Sequence, residues 1–145
     1  MFGIIVGTHG QFAPGIVQSC EMIFGKRDKL RAVTLMPGEG PDDVVAKYEK
    51  AIEELGNPDR VLFFNDLLGG SPYNAACRLV AANENYGIVA GVNLPGLIAM
   101  SAAQDADDGS ATIAEIMAQA LEACKDGVMS SSYESLNAAT DDDEL

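Results

Sequence analysis

The amino-acid sequence predicts an α/β domain: an open, mainly parallel, doubly wound sheet with helices on both faces. Three observations lead there. Short β-rich apolar runs alternate with amphipathic helical windows, which gives a βαβαβαβα order. The first run, Phe2 to Val6, is apolar apart from Gly3, as a strand covered on both faces requires. Right-handed crossovers between successive parallel strands then place helices on both sides of the sheet. With 145 residues, of which 48% are apolar, the chain has room for one such domain, and one of this size buries roughly 70% of its unfolded surface.

The elements follow from local chemistry. The first strand is predicted over residues 2–6 and a turn over 7–10. A helix is predicted over 13–24, with Ile16, Val17, Cys20, Ile23 and Phe24 on one face, Pro14 tolerated in its first turn and Gly25 ending it. A second strand is predicted over 31–36, and the turn Pro37-Gly-Glu-Gly40 leads to a helix over 41–55 whose inner face carries Val44, Val45, Tyr48 and Ile52. The third strand is predicted over 60–65, and the chain breaks at Asp66-Leu-Leu-Gly-Gly-Ser-Pro72. Ser71 is expected as the N-cap of a helix over 72–83, with Pro72 as its first residue. A fourth strand is predicted over 86–91, then a helix to about 103, an acidic loop over 105–110 and a helix over 111–125. Residues 126–136 are expected to add a C-terminal edge strand, closing a single domain over 1–136, and 137–145 read as a disordered acidic tail.

Composition excludes several functions. The net charge of −13 argues against nucleic acid and anionic membrane surfaces as partners. The charge is uneven, since residues 101–145 hold eleven of the 22 acidic side chains against Lys125 alone. Phe2 to Val6 is too short for a membrane span or a signal core and lacks a basic flank, so a cytoplasmic protein is expected. Cys20, Cys77 and Cys124 are widely spaced in helical windows, which supports neither disulfides nor zinc, and all three are expected as small buried side chains. Met22, Met100 and Met117 are expected to fill the core. His9 is the single histidine. No metal or other cofactor is expected.

Ligands of open parallel sheets bind at the carboxyl ends of the strands, where the winding reverses. Two loops are placed there: Thr8-His9-Gly10 after the first strand, and Asp66 with Gly69-Gly-Ser-Pro72 after the third. If those strands are neighbours, His9, Asp66 and Ser71 converge. An imidazole presents one nitrogen as a nucleophile when the other holds the proton, and an adjacent carboxylate selects that tautomer. The start of the following helix, with unpaired N–H groups, the positive end of its dipole and the Ser71 hydroxyl, makes an anion site. Gly69 and Gly70 allow close backbone approach. Together these suggest phosphoryl transfer through a phosphohistidine, with His9 and Asp66 catalytic and Gly70 and Ser71 binding phosphate. Each part also has a plainer reading, as a loop histidine, a turn-capping aspartate and ordinary helix-start residues.

At Ile5-Val-Gly-Thr-His-Gly10 and Phe63-Phe-Asn-Asp-Leu-Leu-Gly-Gly-Ser-Pro-Tyr-Asn-Ala-Ala76 the chain resembles the mannose-class enzyme IIA components of the bacterial phosphoenolpyruvate-dependent sugar phosphotransferase system. The resemblance extends through Met36-Pro-Gly-Glu39 and Gly91-Val-Asn-Leu-Pro95 and covers roughly residues 1–125. It implies a cytoplasmic phosphocarrier that accepts a phosphoryl group from phospho-HPr on His9 and passes it to a histidine of enzyme IIB, which phosphorylates the sugar imported by the membrane components. Asp66 would orient the histidine and Ser71 would bind phosphate. The family also implies a homodimer in which a C-terminal strand is exchanged, here residues 126–136. Leu67 and Leu68 depart from the family pattern of a threonine and an aromatic residue. No IIB domain follows in this chain, so IIB is expected on a separate polypeptide.

Other readings stay open. A related subunit feeds dihydroxyacetone kinase, with another recipient and the same chemistry. A receiver-like signalling module would be phosphorylated on Asp66, but receivers place an acidic pair after the first strand, where this chain has Gly7-Thr8-His9. A Ser71–His9–Asp66 hydrolase would need G-x-S-x-G, and Tyr73 stands at the final glycine position. Nucleotide-binding glycine motifs are absent.

Overall fold

The computed structural model describes residues 1–141. Its elements are β1 (Gly3–His9), α1 (Phe12–Phe24), β2 (Leu30–Leu35), α2 (Pro41–Glu54), β3 (Val61–Asn65), α3 (Ser71–Ala81), β4 (Tyr86–Ala90), α4 (Leu94–Ala106), α5 (Ile113–Asp126) and α6 (Tyr133–Asp141). The four strands are all parallel, in the order β2-β1-β3-β4. The predicted fold class is therefore the observed one. β1 and β3 are adjacent, with Gly7 opposite Asn65, and the winding reverses between them.

The alternation of side chains along the central strands divides the interior into two layers. Ile4, Val6, Leu62 and Phe64 face α1, α4 and α5, where Ile16, Cys20, Leu97, Met100, Ile116 and Ala120 complete one core. Ile5, Val61 and Phe63 face α2 and α3 and pack with Val44, Tyr48, Ile52, Ala75 and Ala76. Residues Phe2 to Thr8 and Val61 to Asn65 are all buried, which is why these two strands carry almost continuous apolar sequence.

β1 runs three residues beyond its predicted end at Val6 and carries His9 on its last position. Pairing with β2 extends it: His9 stands opposite Leu35, and the Gly10 N–H donates to the Leu35 carbonyl at 2.8 Å. The turn is confined to Gly10 and Gln11, where Gly10 takes a left-handed φ of 54°. Gln11 precedes α1 without a side-chain cap. The buried Thr8 hydroxyl supplies the acceptor instead, taking the Ala13 N–H at 2.7 Å.

The expected C-terminal edge strand is not formed: among the described residues the sheet has four strands, and α6 begins at Tyr133. Ser132 and Ser135 start that helix reciprocally, the Ser135 N–H donating to Ser132 Oγ at 3.1 Å and the Ser132 N–H to Ser135 Oγ at 2.9 Å. The run Glu134 to Ala138 is richer in helix formers than in β-branched residues, so local propensity favours the helix. The expected tail from 137 overlaps α6 as far as Asp141, and residues 142–145 lie outside the described residues. Cys20 and Cys124 are buried as expected, but Cys77 is half-buried. Met100 is in the core, Met117 packs partly buried at its margin, and Met22 is exposed on α1. No helix among the described residues is long and apolar enough to cross a membrane.

Candidate functional site

β1 and β3 end side by side, so His9 and Asp66, 57 residues apart in sequence, meet at the switch point. His9 Nδ1 lies 2.7 Å from Asp66 Oδ2, and the His9 backbone N–H donates to the same oxygen at 3.0 Å. Asp66 Oδ1 accepts the Leu67 N–H at 3.0 Å. The carboxylate is thus held at three points, by both donors of one residue and by its own loop. Burial alone would raise its pKa, but the backbone and ring donors of His9, its charge and the Leu67 N–H outweigh that and hold Asp66 below the usual carboxylate range. It is ionised at neutral pH and acts as an acceptor only, so the proton in the 2.7 Å contact belongs to His9 Nδ1. In the neutral ring, Nε2 then carries the lone pair. The imidazole is 47% exposed and the carboxylate 12%, so the ring reaches solvent while its partner is largely covered.

Gly70 explains where the ring rests. A Cβ on Gly70 would lie 2.6 Å from His9 Cε1, closer than atoms in contact come, and 3.1 Å from Nε2, tighter than most such contacts. The imidazole therefore lies directly on the glycine backbone, and Nε2 sits at the start of α3. Gly70 is the N-cap of that helix, whereas the sequence suggested Ser71. Ser71 is instead the first helical residue and makes no side-chain cap, and the extended backbone of an N-cap falls one residue earlier, on Gly70, at φ −82° and ψ 172°. Ser71 is half-buried beside Gly70. The first-turn N–H groups of such a helix have no intrahelical partners. His9, Asp66 and Gly70 are thus in direct contact, and Ser71 is next to them at the helix start.

Several residues with no role in the sequence reading shape this site. Asn65, at the inner end of β3, donates through Nδ2 to the Gly7 carbonyl at 2.8 Å and to the Tyr48 hydroxyl at 3.0 Å. Tyr48 donates in turn to the Pro72 carbonyl at 2.9 Å. The signal was present in sequence as a polar residue closing the apolar run Val61 to Phe64 and as a tyrosine on an inner helix face, since both polar groups need partners when buried. At the rim, Glu39 accepts from the Met36 N–H at 2.8 Å and from Lys47 Nζ at 2.6 Å, which ties the Met36 to Glu39 turn to α2. Phe12, Leu67 and Leu68 are exposed. A groove of about 630 Å³ beside the β1–α1 turn is lined by Gln11, Phe12, Ile16, Val92 and Leu94 among others, with no charged side chain.

A histidine held by a carboxylate at the switch point of a parallel sheet, against a glycine-led helix start, places an imidazole of fixed tautomer beside N–H groups suited to an anion. Comparison with known proteins gives the family. Residues 3–121 match the EIIA-man family, described as PTS system fructose IIA component, and the chain belongs to that family. It is similar to the PTS system mannose-specific EIIAB component of Escherichia coli strain K12, with 38% identity over 125 residues covering 86% of this chain and 38% of that protein. It is also similar to the PTS system fructose-specific EIIA component of Bacillus subtilis, with 39% identity over 98 residues and 68% and 67% coverage. The chain thus spans well under half of the length of the Escherichia coli relative. Among solved structures, a PTS IIA protein associated with the fucose utilization operon of Streptococcus pneumoniae superposes with a TM-score of 0.72 at 29% identity, covering 89% of this chain and 92% of that one. The fold is shared with a phosphotransferase system component EIIA from Streptococcus agalactiae, with a TM-score of 0.78 at 23% identity and 90% and 97% coverage.

Proposed function

We propose that this protein is a phosphocarrier of a sugar phosphotransferase system, taking a phosphoryl group from phospho-HPr on His9 and passing it to a histidine of enzyme IIB. The observation that carries this reading is the 2.7 Å contact between His9 Nδ1 and Asp66, which leaves Nε2 as the nucleophile. In the forward step the Nε2 lone pair forms a bond to phosphorus while the donor's phosphorus–nitrogen bond breaks, and the donor imidazole keeps that electron pair. The His9 ring gains positive charge as the bond forms. Its proton stays on Nδ1, and the Asp66 carboxylate offsets the charge. The α3 N-terminus at Gly70 and Ser71 binds the phosphoryl oxygens. Transfer to IIB runs the same displacement from the other side, and the membrane components are reached through IIB in the cytoplasm.

Docking partners meet an apolar rim, Phe12, Leu67 and Leu68, and the uncharged groove beside it. Contact there relies on apolar burial more than on charge, which suits a chain of net charge −13 that must receive two different proteins at one histidine. The protein is further proposed to be a homodimer. β4 is an edge strand, a groove of about 410 Å³ beside it is lined by Tyr73, Cys77, Val80, Tyr86, Ile88 and Met117, and Val128, Met129 and Tyr133 are exposed in the C-terminal segment. That segment of a second copy would cover the edge.

Incubation with phosphoenolpyruvate, enzyme I and HPr is expected to place one acid-labile, alkali-stable phosphoryl group on His9. An unlabelled wild type, or undiminished labelling of His9→Ala, refutes the proposal. An alkali-labile group would mark Asp66 phosphorylation as in receivers, a reading that Asp66's three hydrogen bonds disfavour. Passage of label to a dihydroxyacetone kinase subunit in place of IIB would reassign the recipient and leave the chemistry unchanged.

A further inference from the structure

We infer that Tyr48 and Asn65 form a buried brace that sets the position of the α3 N-terminus beneath His9, which makes Tyr48 a positioning residue for phosphoryl transfer. This rests on the phosphocarrier reading above. Tyr48 is fully buried. Its hydroxyl accepts from Asn65 Nδ2 at 3.0 Å and donates to the Pro72 carbonyl at 2.9 Å, while the same Nδ2 donates to the Gly7 carbonyl at 2.8 Å. Gly7 lies two residues before His9, Asn65 immediately before Asp66, and Pro72 two residues after Gly70. One amide and one hydroxyl therefore join the three backbone segments that carry the nucleophile, its carboxylate and the anion-binding turn.

The strand makes room for this arrangement. A Cβ on Gly7 would lie 2.0 Å from the Tyr48 hydroxyl oxygen, so that oxygen occupies space that a larger residue in β1 would fill. Packing does not require the hydroxyl. The ring already meets Phe63 edge-on, with centroids 5.0 Å apart, and phenylalanine would keep that contact. A buried hydroxyl is costly unless paired, and here both of its hydrogen bonds go to groups adjoining the site. Burial, opposed by the Asn65 amide and reinforced by the charge of Asp66, pushes the Tyr48 phenol above its ordinary range, so it remains a donor to Pro72.

Precision matters because the space between helix start and ring is less than a methyl group wide, as the 2.6 Å from a Gly70 Cβ to His9 Cε1 shows. A shift of α3 by a fraction of an ångström changes how the ring sits and how far its N–H groups lie from phosphate on Nε2. Misplacement of about 1 Å costs on the order of 100-fold in rate.

The test compares wild type, Tyr48→Phe, Asn65→Leu and the double variant as acceptors of phospho-HPr in rapid-quench kinetics, with the folded fraction of each sample measured by circular dichroism. Tyr48→Phe is expected to lower kcat by roughly 10- to 100-fold while the KM for phospho-HPr stays within about twofold, since the docking rim is untouched. Asn65→Leu is expected to reproduce the effect, and the double variant to be no slower than the slower single one, because both act through one link. The ¹⁵N signal of His9 Nδ1 should shift in both single variants. An unchanged kcat in Tyr48→Phe, or a fall matched by the loss of folded protein, overturns the inference while leaving the phosphocarrier reading standing if wild type is labelled. A wild type that takes no label on His9 overturns both.

Discussion

Replacing Gly70 by alanine separates chemistry from stability. Gly70 has a φ of −82°, which alanine adopts without strain, so the substitution acts through its methyl group alone. That methyl would stand 2.6 Å from His9 Cε1 and 3.1 Å from Nε2. Ordinary contact between carbons needs about 3.5 Å, so the ring must retreat by about 1 Å. It has somewhere to go, being 47% exposed, and rotating it outward disturbs no core side chain. The loss of stability should therefore be small, about 1 kcal/mol or less, as for alanine in place of glycine at an N-cap. The same retreat stretches the 2.7 Å bond between Nδ1 and Asp66 beyond hydrogen-bond range and moves Nε2 off the helix start. A rate loss of about 100-fold follows from a displacement of that size. The assay pairs thermal unfolding with the rate of phosphoryl uptake from phospho-HPr at saturation. Wild-type rates in Gly70→Ala, or a large drop in melting temperature with an unchanged rate per folded molecule, would refute the argument that this glycine seats the nucleophile.

Two further predictions concern the rest of the molecule. Asp107 is 2% exposed and paired to Arg60; the Arg60 hydrogen bond, with the Gly109 N–H and nearby positive charge, outweighs burial and lowers its pKa to about 2. Because the folded-state value is depressed, this stabilisation is complete above the unfolded value near 4 and disappears as pH falls from about 4 toward 2, a contribution of about 2 kcal/mol. Asp107→Asn should lower stability at neutral pH by at least that amount and flatten the acid limb of a urea-unfolding series, and an unchanged limb would contradict the assignment. For the dimer, sedimentation velocity of the full chain should give a two-subunit species, and truncation after Asp126 should convert it to monomer; a monomeric full chain disposes of the exchange.

Much of the architecture was legible because it follows from short-range pattern. Apolar runs of strand length, helical periodicity and glycine or proline punctuation placed the strands and the helices between them in the right order, apart from the C-terminal segment. His9, as the single histidine, and Asp66, as the acid closing an apolar strand, could be singled out for the same reason. The errors fall where tertiary pairing outweighs local signals. β1 appeared to end at Val6 because Gly7 and Gly10 look like a turn, yet hydrogen bonding to Leu35 carries the strand to His9. Ser71 has the composition of an N-cap, but the cap fell on Gly70. The C-terminal segment went the other way, since its serine pair starts a helix where a family pattern suggested a strand.

By itself the sequence determined a parallel α/β domain with one imidazole and one suitable carboxylate, each at the carboxyl end of a strand. Those properties are local, set by residue type and spacing. Which ring nitrogen is free, why Gly70 must lack a side chain, and how Tyr48 and Asn65 link three segments were decided by the tertiary structure. Each depends on distances between residues far apart in the chain, and those distances exist only once the register of β1 on β3 and the packing of α2 and α3 against them are in place.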